Sequence, residues 1–94
     1  MDTGSFKEEL ARDGFDEIDI SWSAGKTTPE HAHDYDVRAL VLEGEITLTV
    51  AGKADRFDAG QVFTMPRGCP HSEYIGPDGV RVLVGRRRPD FAAA

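Results

Sequence analysis

At 94 residues and 39% apolar content, the chain has the material for one modest hydrophobic core and lacks the low-hydrophobicity signature of disorder. Its net charge of −6, spread along the chain, argues against nucleic acid as a partner, because phosphate binding needs concentrated Lys and Arg. No apolar run approaches the ~18 residues of a membrane helix, the polar start "MDTGSFKEELARDG" is not a signal peptide, and a cytoplasmic location is the expectation.

The first predicted element is a short helix. Ser5 with Glu8 forms a capping box, Gly14 sits in the C-cap position, and Phe6 and Leu10 provide the packing face. The pattern then changes to period two: Ile18, Ile20 and Trp22 alternate with Asp19, Ser21 and Ser23, as in a half-buried strand. "EHAHDYD" places His31 and His33 at the start of the next strand, where period-two alternation puts both imidazoles on one face. "VRALVL" stops at Glu43-Gly44, and "ITLTV" turns at Ala51-Gly52-Lys53 to return through Asp55-Arg56-Phe57. "DAGQ" leads into "VFTMP", "RGCP" into "HSEYI", and "GPDG" into "VRVLVG". Seven or eight short strands with no helical pattern between them predict an all-β sandwich or barrel in one domain.

Three side-chain groups carry chemistry. His71, the third and last histidine, also opens a strand, and a barrel brings distant strand starts side by side. Three neutral imidazoles suit Zn, Fe, Ni or Cu rather than Mg or Ca, and leave positions open for water or ligand; the alternative is three histidines bonded to backbone. Cys69, the single cysteine, cannot form an intramolecular disulfide and reads either as a reactive or ligating thiol or as a small buried residue. Arg86 to Arg88 in "GRRRPD" read as a solvated strand end paired with surface carboxylates, or else as a patch for phosphate or an acidic partner.

"GKTTPEHAHDYDVRALVLEG" resembles the first motif of the cupin family: Gly25, His31, His33 and the turn glycine Gly44. "GQVFTMPRGCPHSEYI" is similar to the second: Gly60, Pro66, Gly68 and His71. The resemblance implies a small jelly-roll β-barrel; together with the predicted helix it gives one domain over 1–94, with a helical extension over 1–14, the barrel over 15–88 and a tail over 89–94. It also implies one divalent transition metal (Fe, Ni, Mn or Zn) on His31, His33 and His71, usually completed by a glutamate. That glutamate falls at Val37, and the second motif's closing asparagine falls at Ile75. Asp36 and Arg38 have the wrong parity to replace it. Without a carboxylate, a bound ion is more Lewis acidic and more receptive to an anion. Glu73, two residues after His71 and on its face, is the available replacement, as a ligand or as a proton carrier; a frayed strand start would leave it solvated instead.

The expected pocket lining is Val37, Ala39, Val41, Phe63 and Met65, apolar and narrow. Three functions compete: a metal-dependent enzyme on a small, anionic metabolite, resembling the family's dioxygenases or isomerases; a binding or sensing module for a small-molecule ligand; and a remnant without metal. Fold analogy does not choose between them. A homodimer is expected, through the apolar strand of Ile18, Ile20 and Trp22, which would also protect a sheet edge.

Overall fold

The computed structural model describes residues 1–88; the expected tail, 89–94, lies outside the described residues. Helix α1 spans Thr3–Arg12 and is capped by Asp2, not by Ser5. The Asp2 carboxylate accepts from the Ser5 N–H at 2.8 Å and from the Ser5 hydroxyl at 2.9 Å. Asp2 therefore satisfies an open donor of the first turn and occupies the hydroxyl that a Ser5 cap would need. The far end follows the sequence. Gly14 turns at φ 79, Gly14 N–H reaches the Ala11 carbonyl at 3.3 Å, and Phe15 N–H reaches that of Leu10 at 2.8 Å, the paired closure of a Schellman motif.

Six strands follow among the described residues: β1 Asp16–Trp22, β2 Thr27–His31, β3 Asp36–Val50, β4 Lys53–Asp58, β5 Val62–Met65 and β6 His71–Arg87. Their pairings are all antiparallel. The count is below the seven or eight expected because Glu43-Gly44 and "GPDG" are bends inside β3 and β6, not turns between strands. The two bends face each other. Gly44 pairs with Val80, with register shifts on both sides of it, and a Cβ on Gly44 would lie 2.0 Å from the Gly79 carbonyl oxygen. A positive φ and backbone against backbone are what a glycine allows there, so the ladder bends without ending.

The bend divides the ladder into two halves. One runs β5, the first part of β3, the second part of β6, then β1; the other runs β4, the second part of β3, the first part of β6, then β2. Folded onto each other, they make a small jelly roll whose sheet does not close. Ala39, Val41, Phe63, Val82 and Val84 of the first half meet Ile46, Leu48 and Ile75 of the second in an inner core. An outer core lies under α1, where Phe6, Leu10 and Phe15 cover Leu40 and Leu83. Gly85 makes room for that contact, since a Cβ there would sit 2.6 Å from a Leu10 methyl. Asp36 and Arg38 point away from the interior, bonded to Arg87 and Asp13 respectively. No helix among the described residues is long and apolar enough to cross a membrane.

Candidate metal centre

His31 is the last residue of β2 and His71 the first of β6, and they are register partners. Antiparallel pairing thus sets the end of one strand against the start of another. His33 is not on a strand: it lies in the connection before β3, where its carbonyl accepts from the Gly68 N–H at 2.8 Å. The expectation that His31 and His33 open a strand is corrected, although the convergence it was meant to explain is present. The ring centroids stand 4.7 Å apart for His31 and His33, 4.4 Å for His31 and His71, and 5.1 Å for His33 and His71. Glu73 follows His71 on the same face, paired across the ladder with Thr28 and Leu48. One donor atom from each of His31, His33, His71 and Glu73 lies within 4.8 Å of the others.

Hydrogen bonds orient two of the rings. His31 Nδ1 is 2.9 Å from the Pro29 carbonyl and His71 Nδ1 is 3.0 Å from that of Cys69. A carbonyl only accepts, so both Nδ1 atoms carry hydrogen, and each neutral ring presents a lone pair at Nε2. Those two Nε2 atoms point at one carboxylate oxygen, Glu73 Oε2, at 3.6 Å and 3.3 Å. Three acceptors therefore converge on one point, and only a positive charge between them, a proton or a cation, makes the arrangement favourable. Burial above all holds the His33 pKa below its ordinary value; a proton on His31 or His71 would lower it further, with Glu73 pulling the other way. His33 is accordingly neutral and able to donate its lone pair at neutral pH. Backbone carbonyls that fix the rings through the far nitrogen are the usual support of metal-ligating histidines. The donor set fits a borderline divalent transition metal.

A cavity of about 210 Å³ opens over these four residues. Val37, Phe63 and Met65 line it, whereas Ala39 and Val41 lie in the core, 0% and 1% exposed. Sequence reasoning missed Ile20 and Trp22 of β1 as cavity residues: it assigned their apolar face to a contact between two copies of the chain, whereas both side chains line the cavity and pack on the inner core. Tyr35, also missed, stacks on His33 at 4.8 Å with the planes 16° apart. Arg86 lines the cavity too. Cys69 is half-buried against the inner core, and its thiol is not among the four converging donors.

The cupin-domain family matches residues 20–84. The chain belongs to the cupin family. Solved cupins share its architecture. A protein of unknown function from Streptococcus pyogenes superposes with a TM-score of 0.70 at 24% identity, over 81% of this chain and 66% of that one. An RmlC-like cupin from Shewanella frigidimarina gives 0.68 at 22% identity, over 85% and 71%. Oxalate decarboxylase of Bacillus subtilis, described for its Mn(II) centres, gives 0.67 at 22% identity, over 80% of this chain but only 21% of that enzyme. No curated protein matches the sequence. At these identities the likeness is one of fold.

Proposed function

We propose that His31, His33, His71 and Glu73 hold one divalent transition metal (Fe, Ni, Mn or Zn), and that this cupin binds a small anionic metabolite in the cavity above it as a metal-dependent enzyme of dioxygenase-like or isomerase-like type. The observation that carries the reading is the convergence of two fixed Nε2 lone pairs on Glu73 Oε2, at 3.6 Å and 3.3 Å. A cation relieves that repulsion for all four residues at once. Glu73 would then supply the carboxylate that Val37 cannot, and an ion held by these residues would supply Lewis acidity toward the ligand. The Mn(II) centres of the structurally similar oxalate decarboxylase make Mn a metal to include in reconstitution.

A second reading, a non-catalytic binding module, has one observation in its favour. Among the described residues lining the cavity, Glu73 is the only carboxylate; committed to the metal, it is not free to move a proton. Glu73→Gln separates its two roles. A ligand loses metal affinity on that change, whereas a proton carrier keeps the metal and loses turnover. The metal itself is tested by elemental analysis of tag-free protein reconstituted with each ion. About one ion per chain, lost in His71→Ala, is expected; negligible metal in the wild-type protein, or unchanged content in His71→Ala, would overturn the proposal.

A further inference from the structure

The arginine run at the end of β6 divides into two kinds. Arg87 donates to Asp36 Oδ2 and to the Asp13 carbonyl, both at 3.1 Å, and Arg88 donates to Asp34 at 3.3 Å. These two are the surface-paired arginines the sequence suggested. Arg86 differs. It shares its face of β6 with Val82 and Val84 of the inner core, so period-two alternation turns it toward the cavity, and it lines that cavity. Its Nε is buried without a hydrogen-bond partner among the described residues.

Its register partners explain the vacancy. Val37 lies opposite on β3 and offers no acceptor; Asp16 lies opposite on β1 but is solvent-exposed and forms no ion pair with it among the described residues. The guanidinium stands 5.0 Å over the Tyr35 ring, which also stacks on His33 and carries the Arg88 guanidinium at 5.3 Å. Aromatic stacking therefore holds a permanently charged, planar fork beside the histidine cluster. A buried Nε–H without an acceptor is costly, and a planar carboxylate, which takes Nε–H and an Nη–H side by side, is the acceptor the fork's geometry matches best.

We infer that Arg86 is the anion-recognition residue of the cavity, taking the carboxylate of a small carboxylic acid whose apolar body lies against Trp22, Val37 and Phe63. The inference deepens the proposed function and rests on its reading of the cavity as a ligand site. At about 210 Å³ the cavity is below the ~300–1,000 Å³ of drug-sized pockets, so the acid is small. Carboxylate is favoured over a neutral ligand because it accepts from two N–H groups of the fork at once and offsets the guanidinium charge, whereas a neutral oxygen only accepts.

Trp22 is the single tryptophan and lines the cavity, so its fluorescence reports occupancy directly. Cyclohexanecarboxylate and the neutral cyclohexanecarboxamide serve as probes, titrated into chelator-treated and zinc-loaded protein. The expected result is saturable binding of the carboxylate, with the amide weaker by about tenfold or more in both forms. Arg86→Gln should remove that preference, while Arg86→Lys, which keeps charge without the fork, retains part of it. Val37→Glu gives Arg86 an internal partner and should weaken the carboxylate by a similar factor with Arg86 still in place. Equal affinity in wild type and Arg86→Gln, an amide that binds as well as the acid, or inorganic phosphate displacing the acid at equal concentration would each overturn the inference. The metal-free arm keeps the two readings apart: carboxylate binding lost in Arg86→Gln can be seen with no metal bound, and a metal-loaded protein indifferent to Arg86 leaves the metal reading standing alone.

Discussion

The two halves of the bent sheet are built differently. The half containing β1 and β5 is covered by the inner core on one face and, across Leu40 and Leu83 of its two central strands, by Phe6, Leu10 and Phe15 on the other, while the outward residues of β1 stay exposed. The half containing β2 and β4 is buried on one face only. Its outer face carries Thr47, Thr49, Ser72 and Tyr74, the last 48% exposed. His31, His71 and Glu73 all belong to this second half, while Val37, Phe63 and Arg86 belong to the first. Converging lone pairs and a half-buried carboxylate are unfavourable inside an apolar core, and on this half they open onto the cavity and not into closed packing. The doubly buried half holds the opposite wall in place. Stability and chemistry are thus divided between two parts of the same two long strands.

The sharpest way to break this arrangement is at the bend that joins the halves. Gly44→Ala places a Cβ 2.0 Å from the Gly79 carbonyl oxygen, backbone that cannot swing aside, at φ 77. Loss of more than about 4 kcal/mol, or no cooperative unfolding at all, is expected in urea titrations followed by circular dichroism. Gly52→Ala is the control: φ is similar at 81, but nothing lies within 4 Å, so the cost should be only the backbone strain, about 1–2 kcal/mol. Similar costs for the two would mean that the bends of β3 and β6 do not approach closely at Gly44.

Next in size is the difference in cover. Phe6 is 0% exposed beneath α1, and Phe6→Ala should cost about 3–5 kcal/mol. Tyr74→Ala, on the wet face of the other half, should stay within about 0.5 kcal/mol. Denaturation midpoints compare them directly. A large loss at Tyr74 would show that the second outer face is covered in solution, as a partner copy of the chain would cover it.

Much of this division was legible in the sequence. Period-two alternation identifies the inward residues of β1 and β6, and the His71-to-Glu73 spacing puts the carboxylate on the histidine face. What failed were the boundaries. A glycine that bends a strand and a glycine that ends one look alike in sequence, so Gly44 and "GPDG" were read as turns. The same local ambiguity moved the helix cap from Asp2 to Ser5. Alternation put the His33 ring beside that of His31, but His33 lies outside any strand, and its backbone is held there by the bond from Gly68 N–H to its carbonyl. Arg86 was missed for a different reason. Its parity with Val82 and Val84 was available, but a run of three arginines reads as surface, and only the register with Val37 shows which one lacks a partner.

Metal removal should sharpen the comparison by acting on one half. A zinc finger unfolds without its ion, but both cores here exist without one, so chelation should lower the melting temperature modestly and leave the fold intact. Amide exchange should rise in β2 and at the start of β6, around His31 and His71, and stay unchanged in α1 and at Leu40 and Leu83. Global unfolding in chelator would contradict the independence of the two cores. Unchanged exchange around His31 and His71 would count against metal binding there.

The smallest effect belongs to acid, and it acts at the rim of the doubly buried half. Asp36 accepts from the Arg67 N–H at 3.0 Å and from Arg87 at 3.1 Å. The backbone bond from Arg67, then the side-chain bond from Arg87, holds its pKa below the ordinary 3.8. Asp13 is lowered in the same direction, chiefly by its bond to Arg38. A folded-state pKa below the unfolded one means that the folded chain binds fewer protons in the window between them. The stabilisation is therefore complete above the unfolded value near 3.8 and disappears as pH falls through the lower folded value. Both carboxylates lie half-buried at the surface, Asp13 31% and Asp36 29% exposed, within reach of solvent ions, so screening keeps the effect small. Asp36→Asn removes the titration while leaving an oxygen to accept from Arg67. Its melting temperature should fall less steeply than that of the wild-type protein below pH 4, with the two curves nearly parallel from pH 5 to 8. Identical slopes below pH 4 would mean that the tie from β3 to the end of β6 through Asp36 contributes nothing to the fold in solution.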